Sequence, residues 1–217
     1  MAKTAATRWV DIQDAHPLNL NLPDSQATEA LGRALARSLP AGDAAQGAEA
    51  AQGAEATQGA EAAEAAQGVR SARAGDLPSG AVVFFHGELG AGKTTCVRSL
   101  LRALGVAGLV RSPTYTLVET YPLGRLTCVH VDLYRLQTLT EVDELGLRDL
   151  LGPGCLLLVE WPDKGGQALP AADLEVSLRY AGEQRSVCLR GVSPVGAEWM
   201  VNLGRDSSLS SYVSNLT

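Results

Sequence analysis

Ala81-Val82-Val83-Phe84-Phe85-His86-Gly87-Glu88-Leu89-Gly90-Ala91-Gly92-Lys93-Thr94-Thr95 is the stretch on which the reading of this chain turns. Its first six residues form an apolar run of strand length. Gly87 to Thr94 then match the phosphate-loop pattern G-x-x-x-x-G-K-[ST]. In such a loop the glycines let the backbone curl so that successive N–H groups aim at phosphate oxygens. The lysine brings a positive charge to the outer phosphates, and the following hydroxyl is placed to ligate Mg²⁺. From Lys93 the pattern turns helical, with Val97, Leu100, Leu101 and Leu104 on one stripe and Gly105 as a stop. Strand, glycine loop and helix N-terminus together make an anion site from oriented amides and the helix dipole. The chain has only three lysines, Lys3, Lys93 and Lys164, and one stands at the motif position.

Outward from the loop, the 217 residues and 46% hydrophobic content suit one domain with a real core plus extras. No stretch approaches the roughly 20 apolar residues of a membrane helix, and the N-terminus lacks an apolar signal region, so the expectation is a cytoplasmic protein. Cys96, Cys128, Cys155 and Cys188 are widely spaced and form no CxxC pair, which predicts free buried thiols and neither a disulfide framework nor a zinc site. A net charge of −6 and a pI near 5.1 argue against a basic face that grips RNA or DNA unaided. If the biology involves RNA, another protein holds it.

Residues 1–17 read as an N-terminal extension. Leu18 to Leu22 alternates like a strand, and Asp24 or Ser25 can cap a helix carrying Leu31, Leu35 and Leu39, within a segment 18–40. Residues 41–78 hold the near-repeat AAQGAE, AAQGAE, ATQGAE. Glycine recurs every sixth residue through the repeats and Ala44–Gly68 offers no large apolar side chain to bury, so residues 41–78 read as a flexible low-complexity insertion. Residues 79–190 carry the remainder of the domain. Thr116–Tyr121 and Leu126–Asp132 read as strands joined at Pro122-Leu123-Gly124-Arg125, and 140–151 as short helical turns broken at Gly146. Cys155–Glu160 reads as a central parallel strand, and Asp173–Tyr180 and Ser186–Arg190 as peripheral strands. Residues 191–217 read as a C-terminal segment whose serine-rich end, from Asp206, frays. The sum predicts a single α/β domain of the P-loop NTPase type, with a mixed, mostly parallel central sheet flanked by helices.

Hydrolysis needs more than a phosphate loop. Glu160, closing the apolar run LLLVE, fits the carboxylate that holds Mg²⁺ or orients the attacking water. Asp132 ends CVHVD in the same manner and fits either a second such carboxylate or a helix cap. Arg111-Ser112-Pro113-Thr114 lies where a switch loop would sit, with Ser112 or Thr114 able to sense the γ-phosphate; Pro113 suits a stiff turn equally well. Trp161 fits either a stacking and anchoring side chain or a core tryptophan. His86 opens the loop and reads as structural, while His130 lies inside a strand. Three isolated histidines give no metal-ligand spacing.

GELGAGKTT, SPTYTLVETY, HVDLYRL, ELGLRDLL and VEWPDKG stand in one order along the chain, over about residues 18–190 without the insertion. That series resembles the bacterial TsaE (YjeE) family, P-loop ATPases needed for threonylcarbamoyladenosine in tRNA. The resemblance implies ATP and Mg²⁺ as cofactors and action beside a TsaB–TsaD heterodimer, in which TsaD performs the transfer and tRNA is met only through the complex. By position it assigns Glu88, Leu89, Gly90, Ala91, Gly92, Lys93, Thr94 and Thr95 to the phosphates. Thr94 and Glu160 go to the metal, and Asp132 and Thr114, with Lys93 and Glu160, to catalysis. It sets Ser25, Thr28 and Leu169 where the adenine would be enclosed. Tyr115 departs from the phenylalanine common in relatives, and the repeat is foreign to the family pattern. Two other readings stay open: a small-molecule kinase, for which no arginine-rich lid is evident because Arg148 stands alone, and a binding module in which ATP is a structural ligand.

Overall fold

The computed structural model describes residues 17–40 and 80–214. The readings of 1–16 as an extension, of 41–78 as an insertion and of the last three residues as a tail fall outside the described residues. Seven strands form one sheet: β1 (Leu18–Leu22), β2 (Ala81–His86), β3 (Val118–Leu123), β4 (Leu126–Asp132), β5 (Cys155–Glu160), β6 (Leu174–Ala181) and β7 (Gln184–Gly191). Their order is β1-β7-β6-β2-β5-β4-β3. The middle four, β6-β2-β5-β4, run parallel, and antiparallel pairs complete both flanks. Among the described residues four α-helices accompany them: α1 (Ser25–Arg37), α2 (Lys93–Ala103), α3 (Leu139–Asp143) and α4 (Pro194–Gly204). The expected mixed, mostly parallel sheet is what the chain builds.

Burial on both faces explains the apolar run at β5. Leu156 and Leu158 point into a core shared with α1, α2 and α4, where Leu31, Leu35, Val97, Leu100 and Trp199 are buried. Leu157 and Val159 point the other way, into a second core with Val129, Val131, Leu133 and Leu169. Each such side chain contributes about 1.5–3 kcal/mol on leaving water. α1 starts at Asp24, whose carboxylate accepts from the Ala27 amide at 2.8 Å. Its first turn lies against the phosphate loop, because the Thr28 methyl faces Gly92. The helix then runs away from the loop, as β2 runs toward it.

Three expectations are corrected. β6 and β7 are not peripheral: β6 pairs with β2 on one side and β7 on the other, and the edges are β1 and β3. Alternation in β6 reports one covered face (Leu174, Val176 and Leu178 buried), and an interior strand with one open face alternates just as an edge strand does. The hairpin between β3 and β4 is tighter than expected. Pro122 and Leu123 belong to β3, and Thr116 and Leu117 precede it. Pro122 is tolerated there because β3 is an edge and its missing N–H costs no ladder bond. Finally, the described part of the C-terminal segment is docked. Leu209 is buried, Val213 bridges to Leu20, and Arg37 meets both Asp206 (2.8 Å) and Ser208 (2.8 Å). A serine-rich composition hid one buried leucine and a salt bridge to α1.

Candidate functional site

The C-terminal ends of parallel β2, β4 and β5 open beneath the N-terminus of α2, and the phosphate loop spans the gap. Gly92 caps α2 at φ +109°, a conformation closed to L side chains, and Gly87 at φ +140° would place a Cβ against the Leu178 carbonyl. Glycine is required at both. A cleft of about 270 Å³ lies in front, lined by Leu89, Gly90, Gly92, Lys93, Thr94, Thr95, Ser112, Thr114, Asp132, Tyr134, Glu160 and Trp161. Most of the residues singled out from the sequence meet there.

Register explains the meeting of the two acids. Asp132 on β4 is the Cα partner of Glu160 on β5, so both leave the sheet at one level and on one face. Both are nearly fully buried. Glu160 Oε2 accepts from Thr94 Oγ1 at 2.8 Å, which joins the first turn of α2 to the end of β5. Asp132 Oδ2 accepts from Thr114 Oγ1 at 2.8 Å and from Ser112 Oγ at 3.4 Å, while Oδ1 accepts from the Tyr134 amide at 3.0 Å. Ser112 and Thr114 are themselves 2.7 Å apart. The polar loop 111–114 is thus tied to the cleft through Asp132. A hard divalent cation favours a hydroxyl and a carboxylate of this kind. The Thr94–Glu160 pair, a half-buried hydroxyl on a buried carboxylate, therefore fits Mg²⁺.

Lys93 is 4% exposed and inward-facing. Its Nζ donates to the carbonyls of Gly87 (2.7 Å) and Glu88 (2.9 Å) and stands 3.8 Å from the centre of the Trp161 ring. Burial draws its pKa below the ordinary lysine value, while the charges of Glu160 and Asp132 act in the opposite sense. Trp161 holds φ +60°, which for a non-glycine residue costs about 1–3 kcal/mol. It packs 4.9 Å from Tyr134. Trp161 is half-buried, packs against the core under β4 and β5 and forms the wall over the lysine.

The remaining expected residues divide. Ser25 and Thr28 line a second hollow of about 140 Å³ with Asp24, Gly90, Ala91, Gly92, Thr95, Glu183 and Arg185, directly behind the phosphate loop. Leu169 is not brought to either space. It is buried in the core under β4 and β5, and its segment is fastened by Arg148, which donates to the carbonyls of Gln167, Ala168 and Leu169. Arg148 is therefore occupied by the 167–169 segment and does not line the cleft. His86 lies 3.4 Å from Asp163, away from the cleft. Three contributors were not singled out for the cleft by sequence: Tyr134, Tyr180 and His130. The Tyr180 hydroxyl donates to the Leu89 carbonyl at 3.0 Å, backing the loop from β6. His130 is wholly buried, with Nε2 2.8 Å from Glu160 Oε1. A signal existed for His130, since two residues before Asp132 on a strand means the same face.

With this geometry in hand, comparison with known proteins is decisive. The family model for the threonylcarbamoyl adenosine biosynthesis protein TsaE matches residues 22–187. The chain belongs to the TsaE family. Among named relatives, the tRNA threonylcarbamoyladenosine biosynthesis protein TsaE of Haemophilus influenzae is 41% identical over 115 residues, covering 53% of this chain and 73% of that one. Its counterpart in Treponema pallidum is 37% identical over 107 residues, covering 49% and 78%. The crystal structure of YdiB from Bacillus subtilis superposes with a TM-score of 0.58 at 21% identity, covering 88% of this chain and 96% of that one, and supports the fold. TsaE membership carries nucleotide binding with it, in agreement with a loop that holds every residue of the phosphate pattern. Among the described residues no helix is long and apolar enough to cross a membrane.

Proposed function

We propose that this TsaE-family chain is a Mg²⁺-dependent ATPase, which converts ATP and water to ADP and phosphate in the cytoplasm and serves formation of the threonylcarbamoyl group on tRNA adenosine. It acts with a TsaB–TsaD heterodimer and leaves the transfer itself, and contact with tRNA, to those partners. One observation carries the reading: Lys93, Thr94, Glu160, Asp132 and Thr114 converge on one cleft at the mouth of a phosphate loop. An acidic chain with a net charge of −6 is also suited to a role that leaves RNA binding to others.

In this reading the loop amides and Lys93 bind the phosphates. The lysine exchanges its two carbonyl partners for phosphate oxygens, and the Trp161 face keeps it in the cleft. Thr94 and Glu160 would hold Mg²⁺, which would supply positive charge against that developing on the phosphate oxygens. Asp132 orients the attacking water and accepts its proton, while Thr114 couples loop 111–114 to that event. The base lies toward the hollow at Ser25 and Thr28. A kinase is disfavoured because Arg148, the arginine best placed in sequence for a lid, is bound to three carbonyls.

The test is ATP hydrolysis by the purified chain, with and without the heterodimer of its own organism, with Lys93→Ala as the blank. Turnover that is slow alone and stimulated by the heterodimer is the expected result. Turnover indifferent to the heterodimer would remove the partner, and nucleotide binding without turnover in either condition would leave ATP as a structural ligand.

A further inference from the structure

We infer that His130 is a positioning residue for Glu160, fixing which of the carboxylate's oxygens faces the metal; this rests on the ATPase reading above. Glu160 Oε2 takes the Thr94 hydroxyl, and Oε1 points back into the protein to His130 Nε2 at 2.8 Å, with the two side chains 2% and 0% exposed. A carboxylate that binds a cation only accepts hydrogen bonds, so His130 must present Nε2–H to it. In the neutral ring that tautomer leaves Nδ1 as a bare lone pair, and Nδ1 is buried with no hydrogen-bond partner among the described residues. A histidine kept for packing gains nothing from this arrangement, since leucine would fill the space without burying an unpaired nitrogen. The unpaired nitrogen is the cost of having the other one donate.

The geometry divides the labour between the acids. With Oε1 engaged from behind, Glu160 offers Oε2 toward Thr94 and is held against rotation about its last bond. An imidazole that orients a ligating carboxylate in this way stands one step removed from the metal, and losing such a partner typically costs about 10-fold to 100-fold in metal affinity or activity. Among the described residues Asp132 has no equivalent brace from within the sheet: its side-chain partners are the hydroxyls of Ser112 and Thr114 and one backbone amide.

Three single variants and one double variant test this, read by turnover and by ADP affinity. His130→Leu removes the donor, and His130→Gln can return an N–H near the Nε2 position. We expect His130→Leu to lower kcat by about 10-fold or more with KM for ATP little changed, and to erase most of the gain in ADP affinity that Mg²⁺ gives over EDTA. His130→Gln should recover most of both losses. Glu160→Gln should lose the same Mg²⁺ gain, and combining it with His130→Leu should add little, because one acts through the other. If His130→Leu keeps the full Mg²⁺ gain and kcat, or if Leu and Gln variants fall equally together with Tm, the positioning role is wrong. ADP binding is read without hydrolysis, so a chain that never turns over ATP sinks the ATPase reading and still decides this one. Nitrogen-15 spectra of the histidines give a nucleotide-free check: a neutral His130 protonated at Nδ1 would overturn the proposal.

Discussion

Glu160 and Asp132 are register partners on neighbouring parallel strands, yet they are held by different parts of the molecule. Glu160 is gripped from the first turn of α2 and from the interior of β4, both rigid elements with buried side chains. Asp132 is gripped by hydroxyls on the loop 111–114, next to Tyr115, which is 82% exposed and stacked under Arg135. Two carboxylates of similar burial therefore differ in what can move them. Loops that carry few buried contacts open at low free-energy cost, whereas core strands and helices open only near global unfolding. The Glu160 side suits an unchanging task such as holding an ion, and the Asp132 side suits one that a partner or a phosphate can switch.

Variants can break or sharpen that contrast. Lys93→Ala stands outside it and should have the largest effect. Losing charge-assisted contacts of about 1.5–3 kcal/mol each lowers ATP affinity roughly 10²-fold or more, measured by calorimetry, and abolishes turnover. Next, Glu160→Gln should reduce kcat by about 10² while nucleotide affinity in EDTA stays within a few-fold. Equal loss of binding and turnover would make Glu160 a structural residue. Asp132→Asn should cost a comparable factor in kcat but keep the Mg²⁺ gain in ADP affinity, and this difference is the sharpest test of the contrast. If both acids lose the Mg²⁺ gain alike, they act as one metal site and the comparison fails. Thr114→Ala should lower turnover by about 10-fold or less, the value of one buried hydrogen bond, and should blunt whatever stimulation the partners give.

A pH series gives the smallest effect and a sign that can be checked. Burial lowers the pKa of Lys93 in the folded chain, so between that value and the ordinary lysine value the unfolded chain binds more protons. Within this window rising pH makes the nucleotide-free fold more stable through Lys93, while the same loss of charge weakens phosphate binding. Thermal shift and ATP affinity should move in opposite directions with pH, and in Lys93→Ala this component should vanish from both.

The parts legible in the sequence were those where one residue type has one physical job. Gly92 at a left-handed helix cap, Lys93 after it, and acids closing two apolar strands are constraints of local chemistry, and their meeting follows from parallel pairing of β4 and β5. The illegible parts depend on what lies across a sheet or at its rim. Nothing in Asp173–Tyr180 tells whether a neighbour pairs on one side or two, and nothing near Leu169 tells that Arg148 pins it into the core. His130 was half legible: alternation puts it on the face of Asp132, but its contact belongs to the next strand.

The direction of α1 and β2 has a consequence for how this chain tolerates change. α1 is 13 residues long and leaves the phosphate loop, and β2 is 6 residues long and arrives at it. At 1.5 Å per helical residue and about 3.3 Å per strand residue, Arg37 and Ala81 each stand about 20 Å from the nucleotide end. Whatever joins them is tethered at the opposite pole of the domain. The entropy of closing a connection rises only by about 0.6 kcal/mol for each doubling of its length. Chain length can therefore be gained or lost between α1 and β2 while the phosphate-loop end stays insulated, which makes this junction the natural port for insertions, whether by evolution or by an engineer attaching a label.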